Sequence, residues 1–290
     1  MNIGITFTSD AATFKHYKDM ARQMTDYAAR ADGYTVVDTA PDLVHVFGTF
    51  SMETRRLLTT YRKRRIPTVL TVCGALATYA DHNKTIDSSQ LNLQRRSLLS
   101  AATVVHTTGS EEDAAITANA PKVQTAMIAN AAITSAISTD EMCSDLTSLY
   151  RTTIKRHEHD IAADIAATVS RAAARLTKSG TASNGADGSK PTVTLPSGVR
   201  AMLSGILYSR YLNNRGLFSL PRHKEMARAL VNTAYDEDLL LQLLSRTKTK
   251  TFAAELMALL ADEGLLTEGF MPLPPARHPL KLKTFKNKTK

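Results

Sequence analysis

The chain has 290 residues, 43% of them apolar, and a formal net charge of +9. That is enough apolar material for one large domain or two small ones, and no apolar run approaches the ~20 residues of a bilayer span. Two cysteines, Cys73 and Cys143, neither in a C-x-x-C pair, exclude a disulfide framework and point to a reduced compartment.

The charge is concentrated at one end. Arg277 to Lys290 holds one Arg, five Lys and no acid, so an anionic-membrane or nucleic-acid contact would rest on that tail and not on the body of the chain. The amino-terminal MNIGITFTSD carries no basic stretch followed by an apolar one, which makes a cytoplasmic location the expectation.

Asn2–Phe7 alternates and is β-branched, a first strand. Ser9–Asp10 is placed to cap the first helix, since Phe14, Tyr17, Met20, Ala21, Met24, Tyr27 and Ala28 recur at helical spacing over Lys15 to Arg30. Gly33 is expected to end that helix and Tyr34–Val37 to form a second strand. The stretch from 41 to 74 organises the rest. Leu43–Phe47 runs into Gly48, Met52 to Arg65 is amphipathic, and Thr68–Val72 runs into Cys73–Gly74. Two β-branched runs separated by a helical pattern predict a right-handed crossover between parallel strands. Both strands stop at or next to a glycine, which puts their loops at one carboxyl edge, where open α/β sheets bind ligands. The basic turn Arg62–Lys63–Arg64–Arg65 suits the negative end of its helix dipole and reads as a solvated helix end.

Asp87 to Leu99 is expected to be helical and Thr103–Thr107 a fifth strand. Ser110 starts a helix with Glu111–Glu112–Asp113 in its first turn, and Gln124–Ile128 is a sixth strand ending near Asn130. The alternation predicts a doubly wound parallel sheet over residues 1–139. One long helix comes next over 140–178, then the polar, Gly/Ser-rich SGTASNGADGSKP, a flexible linker over 179–192. Val199–Tyr211, His223–Tyr235, Glu237–Arg246 and Thr251–Glu263 read as helices of a small domain over 193–276, and 277–290 as a basic disordered tail.

His157–Glu158–His159–Asp160 invites a metal reading, but two histidines two residues apart on a helix face different ways, so no metal is expected. His45 and His106 sit inside strands and read as satisfied core histidines; Cys73 reads as a small core residue or, with helix amides aimed at it, an activated thiol. Thr251–Glu263 with Gly264–Leu265–Leu266 has the outline of a recognition helix and wing entry, with Lys248, Lys250 and the tail lysines as phosphate contacts. Glu255, Asp262 and Glu263 favour a helical partner-docking module instead.

Four fragments, PDLVHVFGTF, IPTVLTVCGA, AATVVHTTGSEEDAAI and AMIANAA, stand in an informative order. Together, over about residues 1–135, they resemble the amino-terminal, acceptor-side domain of family-4-type glycosyltransferases of the glycosyltransferase B fold. There a strand with Asp-x-Val-His, a Pro-x-Val-x-Thr strand ending in His-Gly, a strand leading to Ser-x-x-Glu and a strand ending in Asn-Gly succeed one another. The resemblance implies a Rossmann-like α/β domain and transfer of a sugar from a nucleotide donor to a glycan or lipid-linked acceptor. The nucleotide sugar is then a substrate and no cofactor is expected. By position it places Ser9, Gly48, Cys73, Gly74, Ser110, Glu111 and Asn130 at the substrate cleft. Phe7–Thr8–Ser9 stands where such enzymes carry a Gly-Gly pair, and Cys73 where they carry histidine.

The β/α pattern of a donor half is not seen after the linker, so the expectation is a truncated family member, degenerate or dependent on a partner chain. The basic tail would let it sit at the inner face of a membrane, where a lipid-linked acceptor is found. The alternative is a non-catalytic Rossmann-like ligand- or partner-binding protein with a helical adaptor or winged-helix nucleic-acid-binding domain.

Overall fold

The computed structural model describes residues 1–73, 93–180 and 195–280. These form two compact units that divide between Glu158 and His159, inside the long helix.

The first unit contains β1 (Asn2–Phe7), α1 (Lys15–Arg30), β2 (Thr35–Val36), β3 (Leu43–Gly48), α2 (Met52–Lys63), β4 (Thr68–Val72), α3 (Leu93–Leu99), β5 (Val104–Thr107), α4 (Ser110–Asn119), β6 (Thr125–Met127) and the first part of α5 (Thr139–Gly180). All strands are parallel, in the order β2-β1-β3-β4-β5-β6. The central strands β3, β4 and β5 are buried along their whole length, which is why they read as largely apolar or β-branched runs, interrupted only by His45, Gly48 and His106. One sheet face packs Ile3, Leu43, Phe47 and Val69 against α1 and the start of α5. The other packs Val44, Val46, Leu70 and Val105 against Leu58 and Tyr61 of α2, Leu98 and Leu99 of α3 and Ile116 of α4. The sheet is therefore doubly wound, as its alternating pattern predicts.

Helix α1 keeps its expected bounds, Lys15–Arg30, but not its expected caps. Asp10 caps a short 3-10 turn, Ala11–Thr13, and α1 starts behind Phe14 with no side-chain cap. It ends at Arg30, because Ala31 is already extended and closes the last turn through its N–H to the Tyr27 carbonyl; Gly33 comes after the end. Residues 87–92 of the helix expected at Asp87 to Leu99 lie outside the described residues.

The second unit packs the remainder of α5 with α6 (Ser197–Arg215), α7 (Leu220–Asn232), α8 (Glu237–Arg246) and α9 (Lys250–Asp262). No strand occurs among its described residues. In α9, Ala253, Leu256, Met257 and Leu260 are buried in the unit's core, while Lys250, Thr251 and Asp262 at its two ends are exposed.

Past Gly264, which takes a φ of +66°, no strand follows among the described residues. The Pro-rich segment runs along α9, donating from the Ala276 N–H to the Ala254 carbonyl at 2.9 Å and from the Leu280 N–H to the Glu255 carbonyl at 3.1 Å. Leu266, Leu273 and Leu280 are buried there, each contributing about 2 kcal/mol. Arg277 to Leu280 thus belongs to the folded unit; the remainder of the basic tail and residues 181–192 of the expected linker lie outside the described residues, while α5 itself runs through Gly180, two residues past its expected end.

Candidate functional site at the carboxyl edge of the sheet

From β1 the chain moves outward to β2 and then returns past β1 to β3. The winding direction changes there, and the crevice beside such a switch point, at the carboxyl ends of the strands, is where open α/β sheets take ligands. Strand order sets Thr8–Ser9–Asp10, Gly48–Thr49, Cys73, Thr107–Thr108 and Ile128–Asn130 side by side along that edge.

At the switch point itself sits a hydroxyl–carboxylate cluster. Asp10 accepts from the hydroxyls of Thr8 (2.6 Å) and Thr49 and from the Ala11 N–H (2.9 Å). Burial raises its pKa, but the hydroxyls of Thr49, Thr8 and Ser51 and the Ala11 amide outweigh this and hold it below the ordinary carboxylate value, so Asp10 is ionised. Ser9 donates from its backbone N–H (3.0 Å) and its Oγ (2.5 Å) to Glu53, in the first turn of α2.

Gly48 is glycine for a steric reason. A Cβ there would lie 2.6 Å from both Cγ2 and Oγ1 of Thr54, a fully buried side chain held against Ser51. Gly48→Ala is expected to cost about 2 kcal/mol in a denaturant melt, with most of it recovered when Thr54→Ala is added.

Cys73, at the end of β4, is buried; its N–H donates to the Gly48 carbonyl at 2.7 Å and its Sγ to the Thr71 carbonyl. Burial, then the charges of Glu112 and Asp10, push its thiol far up, which removes the activated-thiol option. Gly74 lies outside the described residues.

At the β5 end, Ser110 and Glu111 open α4 and are exposed, while the next residue, Glu112, turns inward. Its carboxylate reaches back to the Thr108 N–H at 3.1 Å, and Asp113 accepts from the Thr107 hydroxyl at 3.2 Å. Burial raises the Glu112 pKa to about 7, with the Thr108 amide opposing and the Asp113 charge reinforcing it. After β6, Asn130 is buried; its Oδ1 accepts from the Ala132 N–H at 2.8 Å and its Nδ2 has no partner among the described residues.

The edge therefore holds the expected Ser9, Gly48, Cys73, Ser110, Glu111 and Asn130, and beside them the hydrogen-bonded Asp10, Thr49, Glu53 and Glu112. The sequence offered only a faint sign of these four: Asp10 as a cap, Glu112 as the third residue of a helix, from which a carboxylate reaches back to its own amino terminus.

His157 donates from Nε2 to the Arg65 carbonyl, and among the described residues no group of three His, Cys, Asp or Glu is gathered for a metal. Among them also, no helix is long and apolar enough to cross a membrane.

Residues 13–131 match the family model of the glycosyl transferase 4-like domain. That glycosyltransferase 4-like segment runs from the 3-10 turn after β1 to the residue after Asn130, so it takes in every strand end of the candidate site except that of β1. No match was found among curated proteins or among solved structures.

Proposed function

We propose that the amino-terminal unit holds the acceptor in a glycosyl transfer reaction, with the acceptor hydroxyl directed into the crevice between Asp10 and Glu112. The observation that supports this most is the coincidence of the glycosyltransferase 4-like segment with the switch-point edge of the sheet. In the reaction, the acceptor oxygen bonds to the anomeric carbon of a nucleotide sugar. The bond from that carbon to the diphosphate breaks with its electron pair leaving on the nucleoside diphosphate, and the hydroxyl proton passes to Glu112. A carboxyl whose pKa sits near 7 is suited to that transfer.

The charge of the edge defines what fits. Helix amino termini ordinarily seat phosphates, but α2 carries Glu53 there and α4 carries Glu111, Glu112 and Asp113. A diphosphate is repelled from both, so the donor is held elsewhere, and the acceptor end that fits is a neutral, hydroxyl-rich glycan. A second reading, a non-catalytic binding module, is favoured by one observation: Asp10, Glu53 and Glu112 each bond to the chain's own backbone.

Release of free nucleoside diphosphate from a panel of nucleotide sugars, with and without oligosaccharide acceptors, separates the two. Acceptor-dependent release that falls at least ~100-fold in a folded Glu112→Gln variant supports transfer. No release with any pair, and no shift in melting temperature with any nucleotide sugar or glycan, would remove the transferase reading.

A further inference from the structure

Beneath the candidate site, a single file of hydrogen bonds crosses the sheet. Tyr150 Oη lies 2.6 Å from His45 Nδ1, His45 Nε2 lies 2.7 Å from Thr71 Oγ1, Thr71 Oγ1 lies 2.7 Å from His106 Nδ1, and His106 Nε2 lies 3.0 Å from the Ile128 carbonyl. The file joins α5, β3, β4, β5 and the end of β6, and its four side chains are no more than 1% exposed. His45 is stacked on Phe47, with ring centroids 4.4 Å apart, and stands edge-on to His106 and Tyr150.

The protons in this file can be placed one by one. A carbonyl only accepts, so His106 carries its proton on Nε2. In neutral His106, Nδ1 then accepts, and Thr71 must donate to it. The single hydroxyl proton of Thr71 is thereby used, so Thr71 accepts from His45 Nε2–H. Neutral His45 accepts at Nδ1 from the Tyr150 hydroxyl. Every donor and acceptor is satisfied in this one polarity, with both rings neutral. A proton added to His106 would set Nδ1–H against Thr71 and leave the hydroxyl proton of Thr71 without an acceptor. A proton added to His45 would do the same to Tyr150.

We propose that the file Tyr150–His45–Thr71–His106–Ile128 is an acid-released latch that fixes α5 and the β6 end against the sheet, and with them the Asn130 side of the candidate site. The surroundings do not soften the effect of a proton. Tyr34, which stands edge-on to Tyr150, and Cys143 from α5 act on Tyr150, His106 acts on His45, and among the described residues no carboxylate acts on either histidine; Glu112 and Asp10 act on Cys73, just past β4. Burial lowers both histidines, His106 to about 4 and His45 well below its ordinary value, with the neighbouring His106 adding to the effect on His45.

In the unfolded chain both rings take protons below about pH 6.5. The histidines' contribution to stability is thus complete above that pH and lost as pH falls from 6.5 towards 4. Each histidine makes the unfolding constant of the unit rise about 10-fold per pH unit, about 100-fold for the pair.

The test is ring ¹⁵N NMR of the full chain labelled in histidine, which needs no sugar and so stands or falls apart from the proposed transfer reaction. Two rings in the Nε2–H form at pH 7, unmoved until the native spectrum is lost on acidification, are expected. Two further measurements extend it. His106→Gln keeps a donor for the Ile128 carbonyl and removes the titrating group, and should lower the acid dependence of unfolding by about 10-fold per pH unit relative to wild type. Should that variant not fold, the wild-type tautomers decide alone. A ring of the file in the Nδ1–H form, or one that titrates near 6.5 with the native spectrum intact, would overturn the latch, as would an unchanged acid dependence in a folded His106→Gln.

Discussion

Replacing Gly198 by alanine is expected to lower the melting temperature of the helical unit by roughly 10 °C, while the same replacement two turns further along α6, at Gly205, leaves it unchanged or raises it slightly. In a helix, alanine is better than glycine by about 1 kcal/mol, so propensity alone predicts stabilisation at both sites. Packing reverses the sign at one of them. A Cβ on Gly198 would lie 1.9 Å from the Ala234 carbonyl oxygen, a backbone atom in the connection between α7 and α8 that cannot rotate away. At Gly205 the nearest atoms would be Sδ and Cε of Met226 at 3.5 and 3.7 Å, ordinary contact with a flexible side chain. Overpacking of about 3 kcal/mol at Gly198 exceeds the propensity gain, whereas at Gly205 the gain stands almost alone. Thermal melts followed by helical circular dichroism check both, and equal shifts for the two variants would show that the α6 contact with that connection yields freely.

The same contrast shows what the sequence could and could not reveal. The parallel sheet was legible because strands buried on both faces must be continuously apolar, and Leu43–Gly48 and Thr68–Val72 nearly are. Helix α8 was legible to the residue, since Asp236 caps it and accepts from the Leu239 N–H. Its neighbour α9 was legible as a helix but not as a buried one. The apolar residues that settle its place face partners distant in sequence, and the strap through Leu273 and Leu280 that covers it carries no periodic pattern.

The site was legible in the same uneven way. Strand ends marked by glycine located the edge, because position along a strand is local information. Which acid turns inward is not: Glu111 and Glu112 are adjacent and chemically alike, and only the rotation of α4 against β5 exposes one and buries the other. His45 and His106 read as satisfied core histidines and are so, but the file between them needs Thr71 from the strand in the middle and Tyr150 from a helix, pairings that only the fold creates.

Glu112→Gln is expected to stabilise the amino-terminal unit by up to about 3 kcal/mol at pH 8 and by almost nothing at pH 4.5. The carboxyl takes its proton near pH 7 in the folded chain and near the ordinary 4.5 in the unfolded one. A raised folded value means that the folded state holds the proton more tightly. The stability this gives is complete below pH 4.5 and is lost as pH rises through 7, after which the unit carries a buried carboxylate. The roughly two and a half pH units between the values convert to roughly 3 kcal/mol. Glutamine never ionises and keeps an oxygen for the Thr108 N–H, so it removes the loss without removing the helix contact. The histidines titrate in part of the same range with the opposite slope, and they are common to both proteins. The difference between variant and wild type therefore isolates Glu112. Urea melts of both across pH 4.5 to 8 measure it, and a constant difference would mean that Glu112 is ionised throughout. A carboxyl that weakens the fold at neutral pH when a neutral amide would serve the same structural purpose is what a proton acceptor kept for chemistry looks like. A variant that is both more stable at pH 8 and unable to release nucleoside diphosphate would join the stability argument to the transfer reaction at one residue.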